Sequence, residues 1–131
     1  MIPIRQTVFT DEEKGIKGNC FSACVASLLD LDIEEVPEFD KMASGEWQKP
    51  FIEFLFKRGF NFIGTLDFGE WLKEIDVGLR GFVIVGGISP RCAERGHSVI
   101  YYHAEPYFDP HPSDAFLVEP KEVFLIEIQW P

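Results

Sequence analysis

The stretch Gly18-Asn19-Cys20-Phe21-Ser22-Ala23-Cys24-Val25-Ala26-Ser27-Leu28-Leu29 decides the fold. Residues 20–30 are apolar or small at nearly every position, which predicts a helix buried on all sides at the centre of the protein. The glycine that precedes this run places Cys20 at the helix N-terminus. Backbone N–H groups at such an end are unpaired and carry partial positive charge, which predicts a lowered thiol pKa and a nucleophilic thiolate.

Composition limits the classes of protein to consider. A chain of 131 residues is long enough for one domain, spanning residues 1–131, with a substantial core. Thirteen phenylalanines predict that this core is rich in aromatic rings. The net charge of −10 argues against nucleic acid and anionic membranes as main partners, and it permits a basic peptide or protein substrate.

The three cysteines and the N-terminus indicate a compartment. Residues 1–6 lack an apolar signal-peptide core, and no apolar stretch approaches the roughly 18 residues of a membrane span. We therefore expect a cytoplasmic protein with free thiols and no membrane association. We expect no cofactor, because phosphate-loop and dinucleotide fingerprints are absent. A zinc site built from the cysteines and His97 is disfavoured, since zinc knuckles do not lie inside an apolar helix.

The order of elements predicts an α+β fold. Apolar spacing predicts helices at residues 46–58 and 67–75, the second capped by Asp67, and a short strand lies between them at residues 60–65. The second half of the chain is β-rich. We predict strands at residues 81–87, 97–102, 107–109, 115–118 and 123–129, with a polar loop at residues 88–96. Helices first and an antiparallel sheet second are typical of this class.

Three residues lie at positions that suit nucleophilic catalysis. Cys20 opens the first helix, His97 opens a predicted strand after Gly96, and Asp109 ends the neighbouring strand. A hairpin would place His97 and Asp109 side by side, and the sheet would pack on the helix that carries Cys20. The histidine would then take the thiol proton as general base, and the carboxylate would fix its tautomer.

These motifs resemble those of the papain-like cysteine peptidases. Gly-Asn-Cys at a helix start, Gly-His before a β-run and Phe-Asp-Pro after a hairpin are closest in style to compact bacterial enzymes, the bacteriocin leader peptidases. The resemblance implies a central helix with the nucleophile at its start, packed on a C-terminal antiparallel sheet, and a bacterial or phage source. Gly-Asn-Cys is also similar to the motif of ovarian-tumour deubiquitinases, which usually carry Asp-Gly where this chain has Lys17-Gly18.

The same family uses a glutamine upstream of the cysteine to complete an oxyanion hole. Gln6 is the only glutamine before Cys20, and it lies 14 residues upstream, where papain-like enzymes have about six. A loop over residues 11–17 that bulges outward would keep it near the site. Asn19 is the alternative donor.

Each residue also has a purely structural interpretation. Cys20 is also compatible with a core thiol, His97 with a core histidine and Asp109 with a turn residue. Cys24 is expected in the core and Cys92 in a loop, and His103 and His111 are expected in exposed turns. Two functions therefore stay open. One is a cysteine hydrolase or acyl transferase that uses Cys20, His97, Asp109 and Gln6. The other is a non-catalytic binding or inhibitor protein on the same fold.

Overall fold

The fold, described by a computed structural model for residues 1–74 and 79–129, combines helices with one antiparallel sheet and confirms the α+β class. The helices are α1 (Cys20–Leu29), α2 (Gln48–Phe56) and α3 (Phe68–Trp71), with one-turn 3₁₀ helices at Ile33–Glu35, Phe39–Lys41 and Leu72–Glu74. The strands are β1 (Phe60–Asp67), β2 (Phe82–Ser89), β3 (Cys92–Tyr102), β4 (Glu105–Phe108) and β5 (Glu119–Ile128). Within the described residues, no helix is long and apolar enough to cross a membrane.

Helix α1 is the buried central helix that its sequence predicts. All residues from Phe21 to Leu28 are buried, because small alanine and serine side chains let neighbouring elements approach closely. The hydroxyl of Ser27 stays satisfied in this setting by donating to the carbonyl of Ala23 at 2.8 Å. The helix ends at Asp30, which adopts the left-handed conformation with φ of 57°.

The five strands pair in the order β1-β5-β2-β3-β4. Alternate side chains of the central strands face opposite sides of the sheet, as the two-residue period requires. One face packs on α1 and α2 through Ile84, Ile100 and Phe124. Strand β4 pairs only with the last part of β3, from Ile100 to Tyr102. Within the described residues, the first half of β3 therefore has a partner strand on one side only.

Aromatic rings fill the space between α1 and the sheet, as the phenylalanine content predicts. Phe21 lies at the centre of this group, with ring centroids 5.0 Å from Phe124, 5.3 Å from Phe51, 5.5 Å from Trp47 and 6.4 Å from Phe39. Edge-to-face pairs of this kind add to the free energy gained by burying the rings. The cluster fixes the first turn of α1 and the segment around Phe39 relative to each other.

Several predicted boundaries are wrong. Residues 88–96 are not a loop, because β2 continues to Ser89 and β3 begins at Cys92, so His97 lies inside β3 and does not open it. Residues 115–118 form no strand, and the last strand is longer than predicted, since β5 runs over Glu119–Ile128. Polar side chains hid the true ends of β2, β3 and β5, because ladder hydrogen bonds join backbone groups whatever the side chain. The apolar side chains of residues 115–118 predicted a strand where the backbone joins no ladder. Asp67 caps α3 by accepting from the Glu70 N–H at 3.2 Å, and the predicted end of that helix at residue 75 lies outside the described residues.

Candidate active site

His97 and Asp109 form a direct buried pair. The Nε2 atom of His97 lies 2.7 Å from Oδ1 of Asp109, and the two residues are 5% and 0% exposed. Strand β3 carries the histidine, and the aspartate follows directly after β4, so the β3–β4 hairpin brings them together over 12 positions of sequence. A carboxylate on Nε2 leaves Nδ1 as the free ring nitrogen, which has no protein partner among the described residues.

Both oxygens of the Asp109 carboxylate accept hydrogen bonds. Oδ1 also accepts from the backbone N–H of His111 at 2.9 Å, and Oδ2 accepts from that of Phe116 at 2.9 Å. Burial acts to raise the pKa of Asp109, but the hydrogen bonds from His97 and from these two N–H groups outweigh it, so the pKa lies below its ordinary value. Asp109 is therefore an anion suited to orient an imidazole.

Cys20 lies where three cavities meet. A cleft of about 520 Å³ extends from the thiol along the N-terminal loop, and a second of about 430 Å³ extends along β2. A smaller cavity of about 80 Å³ brings Cys20, His97 and Gln6 together. The structure thus places these three side chains around one space, without a hydrogen bond between the thiol and His97 among the described residues.

The thiol is turned toward Asp40, a residue that no sequence motif singles out. Its sulfur lies 3.8 Å from Oδ2 of Asp40. Burial, with the negative charge of Asp40 as second cause, raises the pKa of Cys20 to about 12, although hydrogen bonds from Ser98 and from the Phe21 backbone act to lower it. The expected lowering of the thiol pKa at the helix end is therefore wrong.

The raised pKa decides which form of the Cys20 thiol is present at neutral pH. At pH 7 a thiol whose pKa is about 12 is ionised in only about 10⁻⁵ of molecules, so Cys20 is a neutral thiol. His97, whose Nδ1 has no protein partner among the described residues, lines the same small cavity.

Gln6 is held beside the site by the N-terminal arm. Its backbone N–H donates to the carbonyl of Pro110 at 3.0 Å, next to Asp109, and its side-chain Nε2 donates to the carbonyl of Val8 at 2.9 Å. The loop between Gln6 and Cys20 turns outward as a small exposed hairpin, in which Asp11 and Ile16 pair through their backbones. The 14-residue separation is therefore compatible with Gln6 lining the cavity.

The side chain of Asn19, the alternative oxyanion donor, makes three hydrogen bonds to the N-terminal arm. Its Oδ1 accepts from the N–H groups of Thr7 and Val8 at 3.0 Å each, and its Nδ2 donates to the hydroxyl of Thr7 at 2.9 Å. The side chain thus ties the arm to the start of α1. The backbone N–H of Cys20 has no protein acceptor among the described residues, so it stays available at the helix end.

The other cysteines and histidines have separate positions. Cys24 is fully buried, as expected, and burial raises its pKa well above the ordinary value. Cys92 is the first residue of β3 and not part of a loop. His103 is exposed, whereas His111 is half-buried, lies edge-on to the ring of Phe9 and lines the small cavity. Among the described residues, no group of three or more potential ligands is placed to hold a metal ion.

Two further residues that shape the site were missed at the sequence level. Asp40 contacts the thiol from 20 positions away, and Arg5 donates from Nη1 to the carbonyls of Asp109 and His111 at 2.9 Å each. Neither contact has a local sequence signal, because each joins segments that only the tertiary fold brings together. Comparison with protein-family models, curated proteins and solved structures finds no match to this chain.

Proposed function

We propose that this chain is a cysteine hydrolase of papain-like fold that acts through an acyl-enzyme. The observation that carries the proposal is the buried His97–Asp109 pair at 2.7 Å, whose free imidazole nitrogen shares a cavity with a cysteine at a helix N-terminus. Nucleophile, base and orienting acid are the minimum set for such chemistry. Their order along the chain, with the cysteine on a central helix, the histidine on an antiparallel sheet and the aspartate directly after one of its strands, supports the papain-like assignment.

The reaction follows from the positions of the groups. As the Cys20 sulfur bonds to the carbonyl carbon, its proton passes to Nδ1 of His97, while Asp109 stabilises the imidazolium. The oxyanion is bound by the Cys20 backbone N–H and the Gln6 amide. The carbon–nitrogen or carbon–sulfur bond then breaks, and His97 returns the proton to the leaving group. Water, or an amine in acyl transfer, next attacks the thioester with His97 as base and releases Cys20.

The shape and charge of the cleft favour a peptide or protein substrate. Two clefts extend in different directions from the thiol, which suits a chain that continues on both sides of the reacting bond. Three carboxylates, Asp40, Glu94 and Glu122, line the cleft along β2 against two cations. Both cations are paired with carboxylates, Arg95 with Glu12 at 3.0 Å and Lys121 with Glu119 at 3.1 Å. This cleft therefore carries a net negative charge and favours a basic substrate side chain. Three free cysteines support a reducing, cytoplasmic setting and not an oxidising one.

The test is turnover of a panel of acyl probes: blocked dipeptide coumarin amides with lysine, arginine or leucine, an isopeptide-linked reporter and a small aliphatic thioester. We expect turnover of at least one probe, and a loss of about 10⁴-fold or more in Cys20→Ala and His97→Ala. Cys92→Ala is the matched control and should keep wild-type activity. Equal rates in wild type and Cys20→Ala would contradict the proposal.

The second candidate function is a non-catalytic binding or inhibitor protein, and the position of the thiol favours it. The sulfur lies 3.8 Å from Asp40, it makes no hydrogen bond to His97 among the described residues, and its pKa is raised. A protein of net charge −10 would then act by covering a basic partner surface. This function predicts that Cys20→Ala binds such a partner as tightly as wild type and has no catalytic phenotype. A substrate acyl group trapped on Cys20, seen by intact mass, would exclude it.

A further inference from the structure

The carboxylate of Asp40 occupies the N-terminal end of α1. Oδ2 accepts from the Phe21 N–H at 3.0 Å, and Oδ1 accepts from the Ser22 N–H at 3.0 Å and from the Ser22 hydroxyl at 2.9 Å. Asn19, at the N-cap position, makes no side-chain cap hydrogen bond. The first turn of the helix is thus capped from outside the helix, by a residue on the 3₁₀ helix Phe39–Lys41.

This carboxylate is held rigidly beside the thiol. Phe39, its neighbour in the chain, is 3% exposed, and its ring lies 5.2 Å from that of Phe51 and 5.7 Å from that of Phe54. The packing of Phe39 fixes the position of Asp40, and three hydrogen bonds fix its oxygens. Oδ2 therefore stays 3.8 Å from the Cys20 sulfur without a free choice of rotamer.

Asp40 removes the benefit that a helix end normally gives to a thiolate. The N–H groups of Phe21 and Ser22 and the positive end of the helix dipole are already used by a carboxylate. Other charged or titratable groups line the same cavities, namely Glu12, Lys17, Glu94, Arg95, His97, Lys121 and Glu122. Asp40 is the one charged group within hydrogen-bond distance of the sulfur among the described residues, so of these groups it acts most strongly on the thiol, in addition to the larger effect of burial.

We propose that Asp40 is a positioning residue that holds the first turn of α1 and keeps Cys20 a neutral thiol until His97 takes its proton during attack. The proposal rests on the proposed hydrolase function, because it describes the control of that nucleophile. It predicts a resting enzyme whose thiol resists alkylation and oxidation at neutral pH, since the thiolate is the reactive species. The attacking thiolate exists only while a substrate carbonyl is present to accept it.

The experiment compares Asp40→Asn with the matched control Glu38→Gln, both in a Cys92→Ser background. Cys24 is 0% exposed, so the alkylation measured is that of Cys20. Glu38 is two positions away and its exposed carboxylate pairs with Lys41, at 3.1 Å. Iodoacetamide labelling is followed by intact mass from pH 6 to pH 10, a range that lies below the midpoint of a thiol whose pKa is about 12, so the quantity compared is the labelling rate at each pH. We expect Asp40→Asn to be labelled about tenfold faster than the parent at pH 7.5, and Glu38→Gln to be labelled at the parent's rate.

Two outcomes would overturn the role of Asp40. One is an unchanged labelling profile in a folded Asp40→Asn variant, with folding checked by thermal melting. The other needs no variant: a parent protein whose labelling rate levels off below pH 7 holds a thiolate at rest. Acyl-probe turnover is measured on the same samples. A shift in labelling without turnover in any sample refutes the hydrolase function alone, and turnover without a shift refutes the role of Asp40 alone.

Discussion

Replacing Asp109 with asparagine tests the base and its orienting acid together. The aspartate accepts hydrogen bonds from His97 Nε2 and the His111 N–H on Oδ1, and from the Phe116 N–H on Oδ2. Asparagine has the same size but exchanges one acceptor oxygen for an NH₂ group. In either orientation of the amide, its NH₂ group takes the place of an oxygen that accepts a hydrogen bond in the wild type. The NH₂ group then faces either the Phe116 N–H or the N–H groups of His97 and His111.

The expected magnitudes follow from which donor is left unpaired. A lost hydrogen bond to a charged group costs about 1.5–3 kcal/mol, and an unpaired buried donor about 1–3 kcal/mol, so we expect a loss of about 2–5 kcal/mol in the free energy of unfolding. If the NH₂ group faces His97, it donates to Nε2 and moves the ring proton to Nδ1. That tautomer offers no lone pair to the thiol, and a loss of about 10⁴-fold in kcat is expected.

Urea unfolding followed by tryptophan fluorescence measures the first effect, and turnover of the best acyl probe measures the second. Asp114→Asn is the control, because Asp114 lies in the same loop but its ion pair with Arg5, at 2.7 Å, is exposed. This control should lose less than about 1 kcal/mol and keep its activity. Wild-type stability and wild-type kcat in Asp109→Asn would together refute the assignment of Asp109 as a buried orienting anion.

Two further predictions concern the oxyanion donor and acid stability. Gln6→Ala should lower kcat about 10²–10³-fold with little change in KM, measured with the same probe, because the proposed contact of the amide with the substrate forms on the developing oxyanion and not on the bound substrate; an unchanged kcat would exclude Gln6 from this role. Since the folded pKa of Asp109 lies below its ordinary value of 3.8, its contribution to stability is present above about pH 4 and is lost as the pH falls through the folded pKa. Urea titrations from pH 7 to pH 3 should therefore show the gap between wild type and Asp109→Asn narrowing below about pH 4, and a gap that widens there would contradict the sign.

The parts of the structure that the sequence predicts are those set by local pattern. The apolar run from Phe21 to Leu28 could only be a buried helix, because no face of it is polar. The hairpin that joins β3 to β4 was predicted from two β-rich runs around a short turn, and the His97–Asp109 distance follows from that geometry. The β2–β3 connection is missed because the polar side chains at residues 88–96 hide a backbone ladder that resumes after a register shift, from Ile88–Gly96 to Ser89–Cys92.

The prediction that the helix end lowers the pKa of the Cys20 thiol is wrong for a reason that applies to other buried helices. A free helix N-terminus stabilises an anion, but the argument assumes that nothing else uses its N–H groups. A helix as buried as α1 cannot leave those donors unpaired, because orphaned buried N–H groups are costly. Some acceptor had to cap them, and since Asn19 is committed to the N-terminal arm, the acceptor came from Asp40. The carboxylate of Asp40 and a Cys20 thiolate would compete for the same N–H groups at the positive end of α1. The deep burial that makes α1 easy to predict from its sequence therefore also favours the neutral form of Cys20.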